Sequence, residues 1–275
     1  MKTIRLMTFV SATLLITACG ESNPFGPGLT TPMLNADVAA AAADGVAEDA
    51  LTMQGLNLGL KVGIHAWLSP SALPPQDCPF DSGTGWHACP EITTPNGLTH
   101  NRSYMFSDAS GVAMESFDPN LTAAIHFIKS LSGSIARETD GGSMTADISY
   151  ARDMIVSGLQ GDEQQRTWNG SGTSDIARTR VSDEHGTRSY ELSADITFDD
   201  VVVPHFNNQD KDPWPLSGTI TKVFTGTVTG PSGETHQVER TVVITFNGTQ
   251  FPDATVNGEA FVIDLTNRRA MHRRP

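Results

Sequence analysis

From about residue 102 onward, apolar and polar side chains alternate with a period of two, and Gly, Asn, Asp and Pro interrupt the alternation at short intervals. Residues 189–198 are the clearest case. Tyr190, Leu192, Ala194, Ile196 and Phe198 fall on one face, and Ser189, Glu191, Ser193, Asp195 and Thr197 on the other. Such a split predicts a strand with one face in a core and one in water. The same alternation puts Met144, Ile148, Tyr150, Met154 and Val156 inward, and Val238, Val242, Ile244 and Phe246 inward against Glu239, Thr241 and Thr245. Between 216 and 229, Leu216, Ile220, Phe224 and Val228 oppose a threonine-rich face, and threonine favours strands even when wet. Residues 123–135 break the pattern. Ile125, Phe127 and Leu131 share one side with Ile128 on the other, as in a strand covered on both faces.

Turn chemistry at 108–111, 140–142, 161–162, 183–186, 230–233 and Asn257-Gly258 joins successive strands as hairpins. The expected fold is mainly β: an antiparallel meander of about eight to ten strands forming a curved sheet, barrel-like or sandwich, with one short N-terminal Ala-rich helix. That helix is expected over 36–54. Val38, Ala42, Val46 and Ala50 make a weakly apolar stripe, Asn35 or Asp37 serves as cap, and Gly55 ends it. Gly45 weakens its middle. Such a helix is too poor in large side chains to stand alone, so it is expected to lie on the sheet as a lid.

The first residues follow another plan. Lys2 and Arg5 precede an apolar run at 6–16, and Leu15-Ile16-Thr17-Ala18-Cys19 follows. The segment is too short to be a lasting span and reads as a cleavable leader. It resembles the signal and lipobox of bacterial lipoproteins. The resemblance implies cleavage before Cys19, acylation of its thiol and, with more than one acyl chain, stable membrane attachment. Gly20 in place of aspartate resembles lipoproteins sorted to the outer membrane. The expected organisation is therefore a signal peptide at 1–18, a flexible Gly/Pro/Thr-rich tether at 19–35, and helix plus proline-rich disulfide loop at 36–101. An antiparallel β-domain at 102–267 and a basic tail at 268–275 complete it.

Composition narrows the partners. The chain has 275 residues, with 18 Lys and Arg against 31 Asp and Glu, a formal charge of −13. Removing a leader that holds two cations and no acid makes it more negative, so nucleic acid is excluded as an expected partner. Arg268, Arg269, Arg273 and Arg274 run against the trend and read as a solvated tail. Besides Cys19 the cysteines are Cys78 and Cys89, which should pair in an oxidising compartment. With His87 they also carry the atoms of a metal site, but the paired spacing of zinc knuckles is missing. Trp86 is expected to pack over this loop or to offer an aromatic contact.

No Gly-x-Ser-x-Gly elbow, Ser-x-x-Lys pair, His-Glu-x-x-His helix or phosphate-binding loop occurs, and no cofactor is implied. The residual candidate site is an acidic cluster, Asp199, Asp200, Asp210 and Asp212, beside His205. It could offer oxygens to calcium or a carboxylate and imidazole to acid-base chemistry, but a polar loop is the favoured reading. Trp168-Asn169-Gly170-Ser171-Gly172-Thr173, Trp214-Pro215-Leu216-Ser217-Gly218-Thr219, residues 241–250 and residues 255–261 together resemble β-rich envelope lipoproteins of uncharacterised activity. That likeness covers roughly 104–269. It implies fold and location and carries no site. The functional expectation is a lipid-anchored, non-catalytic envelope protein: a β-scaffold attached to the membrane through Cys19 and touching an envelope protein or polymer. The alternatives are a carrier or sensor of an apolar ligand held between sheet and helix, and a hydrolase built around His205.

Overall fold

The computed structural model of the chain describes residues 29–62, 78–95, 97–139, 142–161, 163–182, 186–204 and 214–273, with helix side chains through Gln54. Among these residues one helix precedes thirteen strands. The helix is α1 (Thr31–Val62), followed by β1 (Phe80–Asp81), β2 (Trp86–Thr93), β3 (Thr99–Ser107), β4 (Ala113–Met114) and β5 (Ala124–Thr139). Next come the long strands β6 (Gly142–Ser157), β7 (Gln165–Ser182) and β8 (Gly186–Pro204). The chain continues with β9 (Ser217–Thr229), β10 (Thr235–Thr245), β11 (Asp253–Val256), β12 (Glu259–Asp264) and β13 (Arg269–His272). Every pairing is antiparallel between neighbours in the chain, except that β3 also pairs β5 and carries β4 on its other side. The sheet is a mainly-β meander, curved and not closed. It is therefore neither a complete barrel nor a two-sheet sandwich.

The alternation read from the sequence positions the faces. Tyr190, Leu192, Ala194, Ile196 and Phe198 are buried, while Glu191, Ser193, Asp195 and Thr197 are exposed. Val238, Val242, Ile244 and Phe246 are buried as expected. Leu216 is not. The β8–β9 register shifts between Asp199 and Val202, so parity fails where Leu216 enters the sheet, and its side chain remains 39% exposed. At that bulge Asp200 has φ 45°, and a Cβ on Gly218 would come within 2.2 Å of the Asp200 carbonyl. Glycine is required there because the two backbones touch.

The helix departs most from expectation. It spans 32 residues, about 48 Å at ~1.5 Å per residue, instead of the short element predicted over 36–54. Thr30, not Asn35 or Asp37, stands at its start: the Met33 amide donates to Thr30 Oγ1 at 3.5 Å, and Pro32 lies in the first turn, where a missing N–H is harmless. Residues 31–35, expected in the tether, are helical, and the helix continues through Gly55. Nor is α1 a lid. Every residue from 34 to 50 is buried or half-buried, because the sheet curves round the helix and its concave side receives it from several directions. A helix buried on all sides needs no single apolar stripe, so alanine on most faces suits it. Among the described residues no helix is long and apolar enough to cross a membrane.

The proline-rich loop expected before residue 102 is partly sheet. Cys78 and Cys89 form a disulfide that ties the segment before β1 to β2, and the β1–β2 hairpin is one end of the sheet. Buried His87 lies beneath it, its Nδ1 3.1 Å from the Cys78 carbonyl and its ring stacked on Tyr104 at 4.5 Å between centroids. Both thiols are consumed, so the Cys78, His87, Cys89 metal alternative has lost two of its ligands.

Candidate functional site: a charge network between helix and sheet

Four acids on α1 meet seven bases projecting from the sheet and its turns. At the centre is Asp49, which receives Arg152 of β6 in a two-pronged contact, Nε to Oδ1 at 2.8 Å and Nη2 to Oδ2 at 3.2 Å. Lys222 of β9 approaches the same carboxylate at 3.7 Å. These side chains are only 5%, 7% and 2% exposed for Asp49, Arg152 and Lys222. Toward the N-terminus, Asp44 is bonded by Arg178 and faced by Arg137 at 3.9 Å, and Asp37 pairs with Arg188 at 2.9 Å. Next to Asp49 in the chain, Glu48 takes Lys129 at 3.1 Å and Arg268 at 3.4 Å, and Lys129 also donates to Thr52 at 3.0 Å. Asn35 finishes the series, donating to Glu259 and accepting from Arg240, each at 2.7 Å.

Local sequence places these groups. On α1, positions 37, 44 and 48 share one side at helical spacing, and 49 turns toward β6 and β9. On the strands, Lys129, Arg152, Arg178, Arg188 and Lys222 occupy inward positions of the alternation, each next to a core residue two positions away. Gly45 is part of the same design. A Cβ there would sit 2.6 Å from the Lys222 ammonium, so the residue that weakens the helix by propensity is the one that admits the buried lysine.

Burial and pairing compete in the electrostatics. Burial acts to raise the Asp49 carboxyl, but Arg152 and Lys222 together hold it below its ordinary value. Burial likewise opposes ionisation of Glu48, and Lys129 and Arg268 overcome it, so this carboxyl also lies low. For Asp37 burial wins over Arg188, and the carboxyl is raised. Burial pushes Lys222 down to about 8 despite Asp49. A cavity of only about 20 Å³ lies beside the network, where the ion-paired Glu48, Asp49, Lys129 and Arg152 meet the apolar Phe127, Leu131 and Met154. A space of that size is far below the ~300–1,000 Å³ of a small-molecule site.

The acidic site expected from sequence is only partly described. His205, Asp210 and Asp212 lie outside the described residues, as does Cys19. Asp199 is exposed and pairs with Thr219 in the β8–β9 register. Asp200 is occupied with backbone geometry: Asn169 Nδ2 donates to its carboxylate at 3.0 Å, and its own amide donates to Asn169 Oδ1 at 2.8 Å. Among the described residues no three His, Cys, Asp or Glu side chains gather as metal ligands.

Sequence reading missed the network, although a signal was present. Lys129 between Phe127 and Leu131, Arg152 between Tyr150 and Met154, and Lys222 between Ile220 and Phe224 are charges written into core registers. No protein-family profile, curated protein or solved structure matches this chain.

Proposed function

We propose that this protein is a lipid-anchored, non-catalytic component of the bacterial cell envelope, a β-scaffold tethered through Cys19 that contacts an envelope protein or surface polymer with its outer face. The observation that carries the reading is the filled concavity: α1 occupies the hollow of the sheet and is fixed there by ion pairs to strands from β5 to β9. With that hollow occupied, contact falls to the convex face and the two sheet ends. The carrier reading has less support, because a ligand between helix and sheet would have to displace paired charges.

The test has two parts. Metabolic labelling with a palmitate analogue should mark the full chain and fail on Cys19→Ser, which should also leave the membrane fraction. A photo-crosslinking residue at Thr225 on the convex face should then capture an envelope component in cells. Labelling unchanged in Cys19→Ser, or an apolar ligand co-purifying in stoichiometric amount, overturns the reading.

A further inference from the structure

Most of the convex face is a regular polar ladder. One row across β5 to β10 reads Ser132, Ser149, Asp175, Ser193, Thr225 and Glu239, each opposite the next. Near the β1–β2 end the character changes. Trp86 projects outward, because its neighbour His87 projects inward, and its ring meets that of His126 edge-on, with centroids 4.9 Å apart. His126 Nε2 lies 2.6 Å from Asp153 Oδ1 across the β5–β6 pair, and these side chains are 29% and 59% exposed. Ile128 and Ile155 flank the pair and are 41% and 49% exposed. Asn169, bonded to Asp200, follows Ile155 in the β6–β7 register at the edge of the patch.

We infer that Trp86, His126, Asp153, Ile128 and Ile155 form a binding subsite for a saccharide polymer lacking acidic groups. The inference rests on the scaffold reading in taking the convex face as the working surface, and it names the chemistry of one partner. A sugar ring presents an apolar C–H face and a rim of hydroxyls. Aromatic and aliphatic side chains can cover the first, while a fixed carboxylate–imidazole pair bonds to the second. Charge then selects among saccharides. Asp147, Asp175 and Asp195 stand exposed on the same face, so a polyanion would be repelled and a neutral or amine-bearing chain would not. Strands fix the positions of all five side chains, as a shallow site requires to limit the entropy lost on binding.

The experiment uses the full chain in detergent on an array of immobilised β-glucan, chitosan and alginate. Retention on β-glucan or chitosan, at least tenfold weaker for Trp86→Ala and for Asp153→Asn, is expected, with alginate not retained. Thr225→Ala, in the polar ladder, should leave retention unchanged. Asp153 is exposed, so Asp153→Asn keeps the test valid even where Trp86→Ala unfolds, and equal thermal midpoints identify variants that fold. Three results overturn the assignment: no retention on either non-acidic polymer, retention indifferent to both variants, or equal retention on alginate. If saccharides fail while an envelope protein is still crosslinked at Thr225, the scaffold reading stands and the saccharide assignment alone falls.

Discussion

The two faces of the sheet carry the same kinds of charged residue with opposite energetic weight. On the concave side Asp49, Arg152 and Lys222 are almost wholly removed from water and are paired with one another. On the convex side and at the β13 end, pairs such as Arg273 with Asp253 at 2.7 Å remain half in solvent, with exposures of 59% and 46%. Exposed pairs typically contribute ~0–1 kcal/mol, whereas breaking a buried pair costs ~3–5 kcal/mol because the remaining charge stays behind. The interior is therefore specified and brittle. The exterior is free to vary.

The strongest way to break this contrast is Asp49→Ala, which abandons Arg152 and Lys222 together. It should lower unfolding stability by about 3–5 kcal/mol in a denaturant titration, and a loss below about 1 kcal/mol would contradict a buried network. Next is the Cys78→Ser, Cys89→Ser double variant. Its closed loop spans a separation of 11 residues, and chain entropy assigns the bridge about 3 kcal/mol, read as a shift in denaturant midpoint.

Gly45→Ala sharpens the comparison because two rules disagree. Helix propensity predicts a gain of about 1 kcal/mol, but the new Cβ would meet the Lys222 ammonium at 2.6 Å. We expect a net loss of about 1 kcal/mol, turning into a gain in a Lys222→Met background, where the ammonium is absent. A gain in both backgrounds would mean that the lysine relocates without cost.

Lys222 also gives the interior a pH signature. Its folded value of about 8 lies below the ordinary 10.5, so the unfolded chain binds more protons between these limits and stability rises with pH there. The thermal midpoint of the parent should therefore rise relative to Lys222→Met from pH 8 to 10. Glu48 and Asp49 act in the opposite range. Their lowered values give stability present at neutral pH and lost as acid protonates the folded carboxylates. Smallest of all should be Arg273→Ala, within about 0.5 kcal/mol of the parent by the same titration.

Legibility followed the same division between local and distant. Residues 189–198 announced both faces of β8 because period two is a local property of the strand. The β1–β2 hairpin stayed hidden, since proline and cysteine masked its short strands, and thirteen strands exceed the eight to ten expected. The caps of α1 were misplaced because Asn35 and Asp37 have partners far away in sequence, Glu259, Arg240 and Arg188. A capping residue and an interior ligand of arginine look alike in one dimension. Ile128 was expected under a cover, yet it is exposed on the convex face, where the outer neighbours are Trp86 and His126. Of the sequence-derived site, Asp200 proved to be a bulge residue, while Lys222 and Arg152 went unnoticed because an isolated cation in a strand reads as surface.

The position of α1 at the start of the chain governs the order of assembly. Its partners lie far downstream: Asp49 is separated from Arg152 by 103 residues, Glu48 from Arg268 by 220 and Asn35 from Glu259 by 224. Among the described elements, the first in the chain is thus among the last to find shelter. Contact order this high makes for slow folding, and throughout that interval an acidic, alanine-rich helix and an unfilled hollow face solvent separately. Burial of the helix thus waits on the arrival of the final hairpin.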